Sequence, residues 1–211
     1  MMRHQISGRL LRRVAAAGTA ATGLALTLGL TAAPGASAAP AAVGGHHDSS
    51  FTFKLVPSPN IAACLPNATG KVTITPGSEN DIMKISTSGM PANAGFDLFV
   101  IQQPLAPFGV SWYQTDVNAN KYGDGSATVQ GVFDVETFSV SPGGTTTFSP
   151  THQYHLGLWF NNPQTPFNLG CEPGATAPTV TPFNGEQDAG VQVLNTSEFP
   201  TDAGPLSHVT R

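Results

Sequence analysis

The chain has 211 residues, of which only 10% are charged, with nine Lys and Arg against thirteen Asp and Glu. Four of the basic residues fall within residues 1–38, so from residue 39 onward five cations face thirteen acids, a net charge of −8 with histidines neutral. That balance speaks against nucleic acid and anionic lipid as partners, because both are held through clustered Lys and Arg.

Residues 1–38 read as a cleaved signal peptide. Arg3, Arg9, Arg12 and Arg13 form a basic start, "VAAAGTAATGLALTLGL" is an uncharged apolar stretch, and Ala36–Ala38 supplies the small residues of a cleavage site. Val14-Ala15-Ala16 after Arg12-Arg13 does not fit a twin-arginine signal, so general secretion is expected. Nothing after Ala38 reaches the length of a membrane-spanning helix, so the expected product is secreted and extracellular, with no membrane association after cleavage. Residues 39–50, "APAAVGGHHDSS", are small and polar and read as a flexible lead-in.

The two cysteines, Cys64 and Cys171, lie 107 positions apart. In an exported chain a single pair is most simply a disulfide. Closing a loop of that length removes roughly 4–5 kcal/mol of unfolded-state entropy on the chain-entropy model.

In chain order the sequence then offers short β-type runs: "FTFKLV" (51–56), "KVTIT" (71–75), "DIMKIST" (81–87), "FDLFVIQ" (96–102), "GVSWYQTD" (109–116), "SATVQGVFD" (126–134), "TFSV" (137–140), "TTTF" (145–148), "YHLGLWF" (154–160) and "AGVQVLN" (189–195). Gly, Pro, Asn and Asp separate them, and no window after the signal sustains helical periodicity. Short strands at close spacing with turn chemistry between them predict an all-β, antiparallel sandwich in a single domain over residues 51–195, with residues 196–211 as a C-terminal tail. In "FDLFVIQ", Phe96, Leu98 and Val100 share one face and Phe99 and Ile101 the other, which predicts a central strand covered on both sides. In "YHLGLWF", Tyr154, Leu156, Leu158 and Phe160 are the expected core face, opposite His155, Gly157 and Trp159.

"SGMPANAGFDLFVIQ" followed by "WYQTDVNANKYGDGSATVQGVF" resembles a pattern recurring in extracellular immunoglobulin-like and fibronectin-like sandwich domains of bacteria. A small-residue-plus-Pro turn leads into an aromatic-rich strand; a strand ending in Thr-Asp-x-Asn then returns through a Gly-rich turn. The likeness spans Ser88 to Phe133 and implies an immunoglobulin-like β-sandwich, a scaffold that hosts many roles. The chain departs from the pattern in carrying Lys121 and Tyr122 before Gly123.

Asp116, Asn118 and Asn120 match the first, third and fifth positions of a calcium loop, but Lys121 stands where the sixth requires Gly and Ala127 where the twelfth requires Glu. Asn, Asp and Gly suit a hairpin turn, and a turn is the reading. His152 and His155 lie three apart, which on a regular strand sends them to opposite faces; separate, solvent-facing histidines are expected there, and His46-His47 falls in the lead-in. The close acid pairs, Glu79 with Asp81, Asp134 with Glu136 and Glu186 with Asp188, sit at turns or strand junctions and are expected to be solvated. Gly-x-Ser-x-Gly, Ser-x-x-Lys and His-Glu-x-x-His are absent. No catalytic residue, cofactor or metal ligand is assigned from the sequence.

What remains is a surface for binding. The Pro-rich stretch 161–187 holds Cys171, Phe167 and Phe183; both phenylalanines are expected to fold back on a sheet edge. The strand that feeds it presents Gln153, His155 and Trp159 as a ligand face of a mixture suited to a sugar or a peptide. The competing expectation is that a neighbouring strand covers Trp159. The functional reading is a secreted, non-enzymatic binding or structural module for an extracellular carbohydrate or protein, the alternatives being a secreted hydrolase with an unrecognised site and a metal-binding protein.

Overall fold

The alternation in Asp81–Ser88 sets the pattern of the fold: Asp81, Met83, Ile85 and Thr87 are buried while Ile82, Lys84, Ser86 and Ser88 face solvent. A period of two with one apolar face is what an extended strand at the surface of a core requires. The computed structural model describes residues 49–133, 139–140, 147–148, 154–182 and 188–209. The signal segment, His46, His47, Asp134, Glu136, His152, Gln153, Phe183 and Glu186 lie outside them.

The strands are β1 (Phe51–Pro57), β2 (Thr69–Thr75), β3 (Asp81–Ser88), β4 (Gly95–Ile101), β5 (Ser111–Asn118), β6 (Gly125–Gly131), β7 (Ser139–Val140), β8 (Thr147–Phe148), β9 (His155–Phe160), β10 (Thr181–Pro182), β11 (Asp188–Ala189) and β12 (Gln192–Asn195). Eight of them pair in the order β5-β4-β9-β12-β1-β2-β3-β6, and each of these pairings is antiparallel. The all-β, antiparallel class expected from the sequence is observed. β1 carries the order across its middle: Phe51–Leu55 pair with β2, and Val56 and Pro57 pair with β12. The end strands β5 and β6 are consecutive, and a bridge between Ala119 and Gly125 draws them together, so the sheet rolls into a nearly closed, barrel-like ring.

The ring encloses one principal core. Phe96, Leu98 and Val100 of β4 meet Leu156, Leu158 and Phe160 of β9, Leu55 of β1, Val72 and Ile74 of β2 and Met83 and Ile85 of β3. The Phe96 and Phe160 rings are 5.2 Å apart. Tyr154 is buried with them, as the sequence predicts for that face of β9. Residues 196–209, set off in the sequence as a tail, bring Leu206 and Val209 into this core and pack Phe199 edge-on against Phe53 at 5.9 Å.

Three elements differ from expectation. A five-residue helix, α1 (Gln164–Asn168), lies inside the stretch read as loop, and a 3-10 turn spans Pro205–His208; both are too short to leave a periodic signature. Asp81 is not a solvated turn acid. It is fully buried, with Oδ1 accepting from the Gly77 amide at 3.2 Å and Oδ2 from the Phe133 amide at 3.2 Å, so its carboxylate satisfies two backbone donors at the start of β3. The Cys64–Cys171 disulfide is formed, tying the segment after α1 to the loop between β1 and β2.

Candidate functional site: the aromatic cleft on the outer face of β5, β4 and β9

The side of β4 and β9 turned away from the core carries a second cluster, in which Ile101, Trp159 and Ala189 are buried and Phe99 and Phe108 pack against them. Register arranges this face in rows. Asp116, Asp97, Trp159 and Gln192 stand side by side across β5, β4, β9 and β12; Tyr113, Phe99, Gly157 and Asn195 form the next row. A β-bulge creates the first end of each row. Leu98 faces Thr115 but Phe99 faces Tyr113, leaving Gln114 as the extra residue. Residues three apart would otherwise fall on opposite faces; the bulge puts Tyr113 and Asp116 on the same one.

Gly157 makes room for the tryptophan. A β-carbon at this position would overlap the six-membered ring of Trp159, so the absence of a side chain lets the indole lie back along its own strand. Phe99 meets Trp159 edge to face at 5.3 Å and Tyr113 at 5.8 Å, and Phe108 meets Trp159 at 5.0 Å. Four rings thus run continuously from Tyr113 to Phe108, in the edge-to-face contacts that aromatic quadrupoles favour.

Phe108 is seated there at a conformational cost. Its φ is 61°, in the left-handed region that non-glycine residues rarely occupy, and Gly109 follows at 67°. Strain of this kind costs about 1–3 kcal/mol and persists where the surroundings over-determine it. Here the Gln102 side chain accepts from the Val110 amide at 3.2 Å, and the backbones of Gln103 and Phe108 join at 2.9 Å. The result is an apolar cleft of about 190 Å³ between the Pro107–Gly109 turn, Phe99, Trp159 and the short β10–β11 ribbon, with Ser111 and Thr181 as hydroxyl neighbours.

Beside the cleft two carboxylates face each other. Asp97 and Asp116 are direct cross-strand partners. Burial pushes the Asp97 carboxyl above its ordinary value; a hydrogen bond from Asn161 Nδ2 at 3.1 Å acts in the opposite sense, and the neighbouring Asp116 raises it further. Tyr113 donates to Asp116 Oδ1 at 2.6 Å, and burial together with that bond pushes its phenol up to about 12. Asp97 is only 1% exposed, whereas Asp116 is exposed on β5.

The ligand face expected from the sequence is corrected here. His155 and Trp159 do lie on the side of β9 opposite its core residues, but His155 is 0% exposed and Trp159 4%. The segments after β4 and after β12 cover that side. The Pro104 carbonyl accepts from Gln192 Nε2 at 3.0 Å, and Thr201 O and Thr196 Oγ1 lie 3.2 and 2.9 Å from the two ring nitrogens of His155. A carbonyl only accepts, so Nε2 carries a proton and donates to Thr201 O, while Nδ1 lies against the Thr196 hydroxyl. Burial lowers its pKa against the pull of the surrounding carbonyls. His155 is a structural histidine, not a solvent-facing one, and Gln153 lies outside the described residues. Of the expected face, Trp159 is the described residue that lines a cleft.

The calcium-loop candidates divide between a strand and the turn that follows it, Asn120–Gly123. Asp116 and Asn118 belong to β5, while Asn120 Oδ1 accepts from the amides of Tyr122 at 2.7 Å and Asp124 at 3.2 Å, and Gly123 takes φ 83°. Among the described residues no group of three or more His, Cys, Asp or Glu side chains gathers as a metal site. Phe108, Tyr113 and Asp97 were not singled out in the sequence, and Phe99 was read there only as a covered face of its strand. No family model, curated protein or solved structure matches the chain.

Proposed function

We propose that the chain is an exported, non-catalytic recognition module of immunoglobulin-like build that binds a carbohydrate ring in the aromatic cleft. The observation that carries this reading is Phe108, a bulky residue held at positive φ so that its ring closes one wall of the cleft against Trp159. A cavity walled by aromatic rings and flanked by two hydroxyls suits a pyranose: the rings cover its C–H face, and Ser111 and Thr181 meet its hydroxyls.

The immunoglobulin-like build is supported by the order β5-β4-β9-β12, in which β9 returns beside β4 by a long connection, as in a Greek key. Export is supported by the signal-like first 38 residues and by the disulfide, which persists in an oxidising compartment. Among the described residues no helix is long and apolar enough to cross a membrane.

Calorimetric titration with neutral cello-, chito-, xylo- and manno-oligosaccharides tests the reading. One series should bind saturably with Kd in the range of about 1 μM to 1 mM. Phe108→Ala should weaken it about tenfold or more, the equivalent of ~1.4 kcal/mol. Absence of heat with every series, or unchanged affinity in a folded Phe108→Ala protein, contradicts it.

A further inference from the structure

We infer that the solvent face of β1, β2, β3 and β6 is a second binding surface, which takes an extended acidic polysaccharide. The chain has four lysines, and register brings three of them together here. Lys54 of β1 stands directly opposite Lys71 of β2; Lys71 stands opposite Ser86 of β3, and Lys84 lies two residues from Ser86 on the same face. Direct cross-strand partners have β-carbons about 5 Å apart and diagonal neighbours about 7–8 Å, so the three ammonium groups share one patch. All three are exposed, and among the described residues no carboxylate pairs with them. The fourth, Lys121, follows Asn120, which lines the same hollow.

Two features set this patch apart from an ordinary solvated face. First, like charges directly opposite each other destabilise a sheet, yet a region of net charge −8 pairs Lys54 with Lys71 and leaves its carboxylates elsewhere. Second, the face is concave. A groove of about 920 Å³ crosses the four strands, walled at one end by Asn118, Asn120 and Asp124, the single acid among its lining residues.

The side chains facing this groove name the ligand class. Of the three lysines, Lys54 and Lys71 line the groove itself, together with the hydroxyls of Thr52, Thr69, Ser86, Ser88 and Ser126, which exchange hydrogen bonds with sugar hydroxyls. Lys54 and Lys71 are separated by one strand spacing, about 4.8 Å, the length scale of a single pyranose, and Lys84 lies a diagonal step of about 7–8 Å from Lys71. A carboxylated or sulfated glycan crossing the strands therefore meets successive cations at intervals of one to two sugars. Single-stranded nucleic acid needs aromatic platforms for its bases, and the one ring lining the groove, Phe53, is buried on the core side of β1. The site is independent of the aromatic cleft, since it lies on the other run of strands and shares no residue with it.

The test is affinity electrophoresis of the secreted protein through gels containing polygalacturonate, neutral dextran or oligo(dT). Polygalacturonate should retard the protein, less so as salt rises; dextran and oligo(dT) should not. Lys54→Gln/Lys71→Gln/Lys84→Gln should abolish retardation, and Lys71→Gln alone should weaken it severalfold with an unchanged or higher melting temperature. Phe108→Ala should leave it intact, which separates this site from the cleft. No retardation by polygalacturonate, equal retardation by dextran or oligo(dT), or retardation unchanged in Lys71→Gln would each overturn the proposal.

Discussion

The indole of Trp159 lies in the space that a β-carbon on Gly157 would occupy, so one residue of β9 is the floor on which another rests. The sequence pattern "GLW" thereby sets the depth of the cleft. Gly157→Ala should displace the ring and cost about 1–3 kcal/mol, the usual penalty of overpacking a filled site. Thermal unfolding would show a lowered midpoint, and the tryptophan emission of the native state would shift to the red. A variant with wild-type midpoint and emission would show that the indole has room to spare.

The facing carboxylates Asp97 and Asp116 lead to a pH-dependent prediction of definite sign. A raised folded pKa means that the contribution of Asp97 to stability is full below its unfolded value of 3.8 and is lost as pH rises through the folded value. Asp97→Asn keeps an oxygen to accept from Asn161 and removes the like charge beside Asp116. The variant should melt higher than wild type at pH 7, with the difference vanishing near pH 3. A variant less stable than wild type at pH 7 would mean that the ionised carboxylate is favoured by contacts other than these.

His155 has the opposite sign. Its folded pKa is depressed, so its contribution to stability is present above the unfolded value of 6.5 and is lost as pH falls below it. Wild-type urea midpoints should drop as pH falls from about 6.5 to 5, and His155→Gln should flatten that slope. Because both residues are buried, His155→Ala combined with Trp159→Ala should unfold the domain, the tryptophan alone costing about 3–5 kcal/mol. Equal pH slopes in wild type and His155→Gln would place the titration elsewhere.

These buried groups mark how far the sequence was legible. Apolar alternation placed β1, β2, β3, β4 and β9 with ends within two residues, because a strand at a core surface writes its period into the chain. The same alternation separates the two faces of β9 without saying what covers the second. The cover comes from Pro104 and Phe108 after β4 and from Thr196 and Thr201 after β12, segments with no periodicity of their own. The Asp97–Asp116 pair depends on strand register and on the bulge at Gln114. The lysine patch likewise depends on register: Lys54, Lys71 and Lys84 are far apart in sequence, and a count of net charge hides them.

The disulfide supplies a prediction through the unfolded state. Cys64 and Cys171 close a loop with a sequence separation of 107, and Cys64→Ala/Cys171→Ala should lose about 2–5 kcal/mol. For a domain of this size each kcal/mol lowers the melting temperature by roughly 2–4 °C. Chemical denaturation of the double variant should still show one transition. Undiminished stability would indicate that the segment after α1 is held by packing alone.

The most direct test of the central claim is an NMR titration of the ¹⁵N-labelled protein with the neutral oligosaccharide that binds best. The account predicts saturable shifts at the Trp159 indole N–H and at the amides of Phe108, Gly109, Ser111 and Thr181, with the Trp112 indole and the amides of β2 and β3 unmoved. Shifts spread over other surfaces while the Trp159 and Phe108 signals stay fixed would contradict it.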